Sequence, residues 1–145
     1  DDAFYALKTL FESQPHCGRT SVLLFSAGGY LDDGLKIGEY LAIRDTHTMV
    51  ISTASCSSSC AVVFLGGKYR SMLGSAKLMF HAPYYKLSHG IKCVKSAPAL
   101  KSFYQRRLGQ ISGERLFEKT MSKCSDEDGW TINEDAARIY DILTQ

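Results

Sequence analysis

An α/β domain is predicted by three features of the sequence. Short apolar runs alternate with longer amphipathic stretches between residues 22 and 80, whereas beyond residue 98 only helical patterns dominate. The first apolar run, Val22-Leu23-Leu24-Phe25, ends in Ser26-Ala27-Gly28-Gly29, where glycines let the backbone turn sharply. The polar run Cys56-Ser57-Ser58-Ser59-Cys60 stands directly before Ala61-Val62-Val63-Phe64-Leu65. It reads as the first turn of a buried helix, entered from the strand-like Thr48-Met49-Val50-Ile51-Ser52-Thr53.

Taken in order, residues 2–13 read as an amphipathic helix with Phe4, Leu7, Leu10 and Phe11 on one face and Asp1 or Asp2 as cap. Residues 14–20 read as a loop. Its neighbours His16 and Cys17 lack a second pair at zinc-ligand spacing, so a surface loop is expected rather than a metal site. After the strand at 22–25, Asp32 or Asp33 caps a helix running to about Arg44, with Leu35, Ile37, Leu41 and Ile43 apolar. Strand, helix and strand make one right-handed crossover that delivers the chain to Cys56. Gly66-Gly67 ends the next helix, and residues 69–73 and 76–80 read as two short strands around Gly74-Ser75. Residues 84–96 read as a polar, mildly basic loop. Helices follow at 98–109, with Pro98 in the first turn, and at 112–123. A last helix, capped by Asn133, runs through Leu143.

Composition bounds the function. The 145 residues, 45% of them hydrophobic, suit one domain spanning 1–145 with a single core. Seventeen basic against fifteen acidic residues give a net charge of +2, too balanced to imply nucleic acid. No apolar stretch approaches the roughly 20 residues needed to span a bilayer. No signal peptide is read at Asp1, and the chain is expected to be a mature or trimmed form.

If the strands at 22–25 and 76–80 run parallel in one sheet, their C-terminal ends share an edge with the start of the Ser58 helix. Glycine amides, the histidine of His81-Ala82-Pro83 and a serine at a helix N-terminus then converge. Those groups are an oxyanion site, a base and a nucleophile, which is the equipment for acyl transfer. A serine before an apolar run also suits plain N-capping, and a histidine after a strand is commonly structural.

The order Ser-x-Gly-Gly, Gly34-Leu35 in a helix, Cys-x-Ser-x-Cys before an apolar helix and Gly66-Gly67, then Arg70 and a strand ending in His81-x-Pro83, resembles the Clp protease proteolytic-subunit family. Within it the chain is most similar to single-domain, Clp-like proteins of the bacterial periplasm. The resemblance runs from about Val22 to Pro83 and more weakly from Ile111 to Leu143. It implies a ClpP/crotonase-like spiral of βαβ units with a mostly parallel sheet and C-terminal helices. It places Ser58, rather than Ser57 or Ser59, on the nucleophile and His81 on the general base. Gly28 and the Ser59 amide fall on the oxyanion hole, beside Gly29. Cys124 falls on the family's aspartate. Asp126, two residues on, is the candidate acid, ahead of Glu127 and Asp128, and a Ser58-His81 dyad is the alternative.

The resemblance also implies a strand before the first helix, supplied from outside this sequence or lost, and a shortened handle at 98–109 that puts ring assembly in question. Five cysteines leave at least one unpaired. Spacing and family context suggest Cys56 with Cys60 and Cys93 with Cys124, against buried reduced thiols as the alternative. A periplasmic or secreted location follows from the cysteines and the resemblance, with cytoplasmic as the alternative. The function expected is a serine hydrolase of peptide or protein substrates needing neither metal nor cofactor, with homo-oligomers allowed. The alternatives are a catalytically inactive ClpP-like binding module and a crotonase-like acyl-CoA enzyme.

Overall fold

The computed structural model describes residues 2–14 and 18–145. The expectations for Asp1, His16 and Cys17 lie outside the described residues. The chain begins with α1 (Asp2–Ser13), β1 (Thr20–Leu23), α2 (Leu31–Ala42), β2 (Thr46–Val50) and β3 (Ser55–Ser57). It continues through α3 (Ser59–Gly66), β4 (Tyr69–Met72), β5 (Lys77–Phe80), β6 (Tyr84–Leu87) and β7 (Gly90–Cys93). It closes with α4 (Pro98–Leu108), α5 (Gln110–Met121), β8 (Trp130–Ile132) and α6 (Glu134–Ile139).

Two three-stranded sheets and a separate two-stranded one, β6 with β7, organise the described residues. Strands β1, β2 and β4 pair parallel in that order, while β3 pairs parallel with β5, which pairs antiparallel with β8. The strands bearing the glycine turn and His81 therefore lie in different sheets, not in one as expected. A parallel bridge between Ser26 and Cys56 brings the two sheets together at the functional end. The polar run at 56–60 also differs from expectation. Cys56 and Ser57 belong to a strand and the helix starts only at Ser59, because Ser57 and Ser58 spend their N–H groups on Ser26 and Met79 carbonyls.

Other departures have simple causes. Within residues 84–96, expected as a loop, residues 84–93 form a hairpin: a turn closed at Gly90, whose φ is +122°, lets β6 and β7 pair. Asp32 and Asp33 sit inside the first turn of α2, where their charge suits the dipole, and Tyr30 occupies the cap position. Leu10 and Ile43 are exposed, whereas Phe4, Leu7 and Phe11 pack on Tyr40, Leu41 and Val63. Trp130 and Ile132 form a strand, which sequence alone did not suggest. Asn133 does cap α6, its Oδ1 accepting from the Ala136 N–H at 3.1 Å, but the helix ends by Asp141, whose φ is +56°.

Helix α3 is the hub. Residues from Cys60 to Gly66 are all buried, which is the environment an all-apolar helix requires. Its C-terminal carbonyls would be orphaned there. Arg107 donates from Nε to the Leu65 carbonyl at 2.9 Å, and Arg107 and Arg70 both donate to the Gly67 carbonyl, at 3.1 and 2.9 Å. Burial, reinforced by the Arg107 charge, lowers the Arg70 pKa to about 10. Thr48 Oγ1 donates to the Phe64 carbonyl at 2.6 Å, tying β2 to the same helix end. Among the described residues no helix is long and apolar enough to cross a membrane.

Helices α2 and α3 touch through glycines. A Cβ on Gly66 would stand 2.7 Å from the Gly38 Cα, backbone that cannot move aside. Gly66→Ala is expected to destabilise the fold by about 2–3 kcal/mol, as overpacking does, read as a lower midpoint in urea; an unchanged midpoint would contradict this packing.

Candidate active site

Ser58 sits at the junction of β3 and α3 with φ 58° and ψ −125°. A serine in this region costs on the order of 1–3 kcal/mol and persists only where its surroundings over-determine it. They do so here. The Ser57 N–H donates to the Ser26 carbonyl at 2.9 Å, the Ser58 N–H to the Met79 carbonyl at 2.8 Å, and the Ser58 carbonyl accepts from the Ala61 N–H at 2.9 Å. Cys56 and Cys60, both buried, flank the turn at disulfide distance, with Cα atoms 5.2 Å apart. The strained conformation turns the serine out of the strand and into a cavity instead of leaving it as an ordinary cap; no side-chain cap bond forms at this position.

The glycine turn lies against that serine. Gly28 has φ +103°, and a Cβ there would stand 2.7 Å from both the Ser57 carbonyl oxygen and the Ser58 Cβ, and 3.2 Å from the Ser59 nitrogen. Only glycine fits on both counts. The Gly28 N–H donates to Ser26 Oγ at 3.1 Å. The Ser59 amide is in the first turn of α3, where N–H groups have no partner within the helix and the dipole favours negative charge. Gly29 follows, facing Ser59 Oγ.

His81 directly follows β5 and is only 9% exposed. Its Nδ1 is 2.8 Å from the Ala82 carbonyl oxygen. A carbonyl can only accept, so this bond requires the proton on Nδ1 and leaves the lone pair of the neutral ring on Nε2. Ser58 and His81 line the same cavity but share no hydrogen bond. The cavity holds about 870 Å³. Leu31, Val62, Phe80, Leu100 and Tyr104 give it an apolar wall, and Tyr84, Tyr85, Lys86 and Asp126 a polar one.

Asp126, the candidate acid, is brought to the cavity but not to His81 Nδ1. It accepts from the Tyr84 hydroxyl at 2.8 Å. That bond holds the Asp126 carboxyl below its ordinary range and pushes the Tyr84 phenol above its own. The Tyr84 ring in turn lies 5.5 Å from the His81 ring. The segment carrying Asp126 is stitched down twice. The Ala82 N–H donates to the Lys123 carbonyl at 2.6 Å, and Cys124 lies at disulfide distance from Cys93 of β7, with Cα atoms 5.5 Å apart. Ala82 and Tyr84 are the contributors sequence reasoning missed: the first acts through its main chain, and the second was read as the start of a loop. Among the described residues no group of three or more His, Cys, Asp or Glu could hold a metal ion.

No protein-family model matches the chain, and no curated protein matches it. Solved structures do. A point mutant of ClpP1 from Listeria monocytogenes superposes with a TM-score of 0.68 at 17% identity, covering 98% of this chain and 80% of that one. A mutant of the 1510-N membrane-bound stomatin-specific protease gives 0.67 at 17%, covering 99% and 70%. A second mutant of that protease, in complex with a substrate peptide, gives 0.66 at 18%, covering 99% and 66%.

The two cysteine pairs account for four of the five thiols. Thiol titration of the unreduced, denatured chain is expected to find one reactive group, rising to five after reduction; five before reduction would remove both pairings.

Proposed function

From this ClpP-like fold, we propose that the chain is a serine hydrolase acting on peptides, with Ser58 as nucleophile and His81 as general base. The observation that carries the reading is the strained Ser58 turn, which faces a cavity shared with a histidine whose tautomer leaves Nε2 free to accept. Strain of this kind in a non-glycine residue clusters at functional sites. The strand-to-helix turn also matches the geometry by which other hydrolases expose a serine at a helix N-terminus.

In this mechanism Ser58 Oγ attacks the substrate carbonyl carbon while its proton passes to His81 Nε2. The Nδ1–H stays on the Ala82 carbonyl, which keeps the ring in the productive tautomer. Negative charge developing on the carbonyl oxygen is met by the Ser59 N–H and by the Gly28 N–H as it leaves Ser26 Oγ, with Gly29 completing the turn. His81 then returns the proton to the departing amine. Water, deprotonated by the same Nε2, attacks the ester carbon; the tetrahedral intermediate collapses, Ser58 recovers its proton, and the acid product leaves. Asp126 and Asp32 are the carboxylates on the cavity lining, and no cofactor enters any step. The apolar wall formed by Leu31, Val62 and Leu100 suits an extended peptide carrying an apolar side chain next to the scissile bond. Two cysteine pairs at bonding distance fit an oxidising compartment, periplasmic or extracellular.

A second reading, a binding module that keeps the turn for structural reasons, is favoured by two observations: the Gly28 N–H is already occupied and Ser58 is not bonded to His81. Fluorophosphonate labelling followed by peptide mapping separates the two. An adduct on Ser58, absent in Ser58→Ala and reduced at least a hundredfold in rate in His81→Ala, is the expected result. A folded wild type that takes no label at any serine would favour the binding module.

A further inference from the structure

We propose that Tyr84 is a positioning residue of this site, its hydroxyl fixing the Asp126 carboxylate at the cavity wall as the counter-charge for His81. The proposal rests on the Ser58-His81 reading and adds to it the residue that replaces direct carboxylate contact. Three observations support it.

First, the usual place for an acid is filled. His81 Nδ1 is bonded to the Ala82 carbonyl, so a carboxylate can help His81 only from a distance. Such help counts in the transition state, when the ring has taken the Ser58 proton and become a cation. Second, Asp126 is placed rather than free. Its Oδ1 accepts from the Tyr84 hydroxyl at 2.8 Å, while the backbone just before it is pinned twice, by the Lys123 carbonyl bond to Ala82 and by the Cys93 and Cys124 pair. Both anchors tie the segment to the elements that flank His81. Third, Tyr84 touches both partners, its ring lying 5.5 Å from that of His81 while its hydroxyl holds Asp126. A phenylalanine would keep the ring contact and lose the carboxylate. The other charged groups around this cavity are Lys86 on β6, Glu127 beside Asp126, and Asp32 of α2 on the lining. Lys86 favours the ionised Asp126 carboxylate and Glu127 keeps the Tyr84 phenol protonated, so the Tyr84 hydroxyl stays the donor that supplies the directional contact.

Two measurements on the full chain test this. In a double-mutant cycle read by the rate of fluorophosphonate labelling at Ser58, Tyr84→Phe and Asp126→Asn are each expected to slow labelling by about two- to threefold, as losing one solvent-screened charge near a developing cation would. The double variant is expected to be no slower than either, because both remove one interaction. Raising ionic strength from about 0.05 to about 0.5 M should slow the wild type and leave the variants nearly unchanged, which a packing role of Tyr84 would not produce. Additive losses, an unchanged rate in Tyr84→Phe, or equal salt dependence in all forms would each overturn the proposal. The second measurement needs no activity. Carboxyl-carbon NMR should show Asp126 titrating below the ordinary aspartate range in wild type and moving up towards it in Tyr84→Phe; no movement means that the bond does not hold Asp126. Absence of any label on wild-type Ser58 would instead sink the hydrolase reading while this titration still reports on the pair.

Discussion

The turn at Ser58 is the constraint around which the remaining structure is arranged. Its left-handed backbone is unfavourable for serine, and the chain holds it there with main-chain bonds to two neighbouring segments, Ser26 and Met79. Ser26 follows β1 of one sheet and Met79 lies in β5 of the other, so the turn is held where the two sheets meet. The Cys56 and Cys60 pair brackets the same turn covalently. Gly28 can lie against it only because it lacks a Cβ. Removing any one of these supports would let Ser58 relax towards an ordinary helix cap, with its hydroxyl turned back to the backbone.

Helix α3 carries the consequences of that turn into the core. Because it begins immediately after Ser58, its N-terminal amides face the cavity, and its C-terminal carbonyls are driven into the interior. Arg70 and Arg107 satisfy them there, and Arg70 also donates to the Ile142 carbonyl at 2.6 Å, locking the C-terminal segment against β4. Glycine contacts between Gly38 and Gly66 let α2 close over the helix, which places Leu31 and the glycine turn at the cavity. Core packing and site geometry are thus one arrangement, so a change in the α2 and α3 contact is felt at the serine.

Much of this was legible in the sequence. The glycine turn, the serine run before an apolar helix and the histidine after a strand are marked by residue type and order and line one cavity, and the Asn133 cap was plain for the same reason. Register within the run was harder, since whether Cys56 and Ser57 are strand or helix depends on hydrogen bonds to Ser26 and Met79, which are distant in sequence. The split into two sheets was hidden because single strands do not reveal their partners. The hairpin at β6 and β7 reads as loop in the sequence because apolar and polar residues mix there without alternation, and Tyr85, Leu87 and Ile91 are exposed, leaving little periodicity to detect. The surroundings of His81 were the least visible: a main-chain carbonyl has no sequence signature, and the Tyr84 contact to Asp126 spans forty-two positions.

The central claim is that the Ser58 turn is built to hold a tetrahedral intermediate, and a crystal structure of the chain with a peptide aldehyde bound tests it most directly. The account predicts a covalent bond from Ser58 Oγ to the aldehyde carbon, the resulting oxygen within hydrogen-bond distance of the Ser59 and Gly28 amides, and Gly28 released from Ser26 Oγ. An aldehyde that stays unbonded in a well-ordered cavity, or an adduct whose oxygen points away from both amides while Gly28 remains on Ser26, would contradict it.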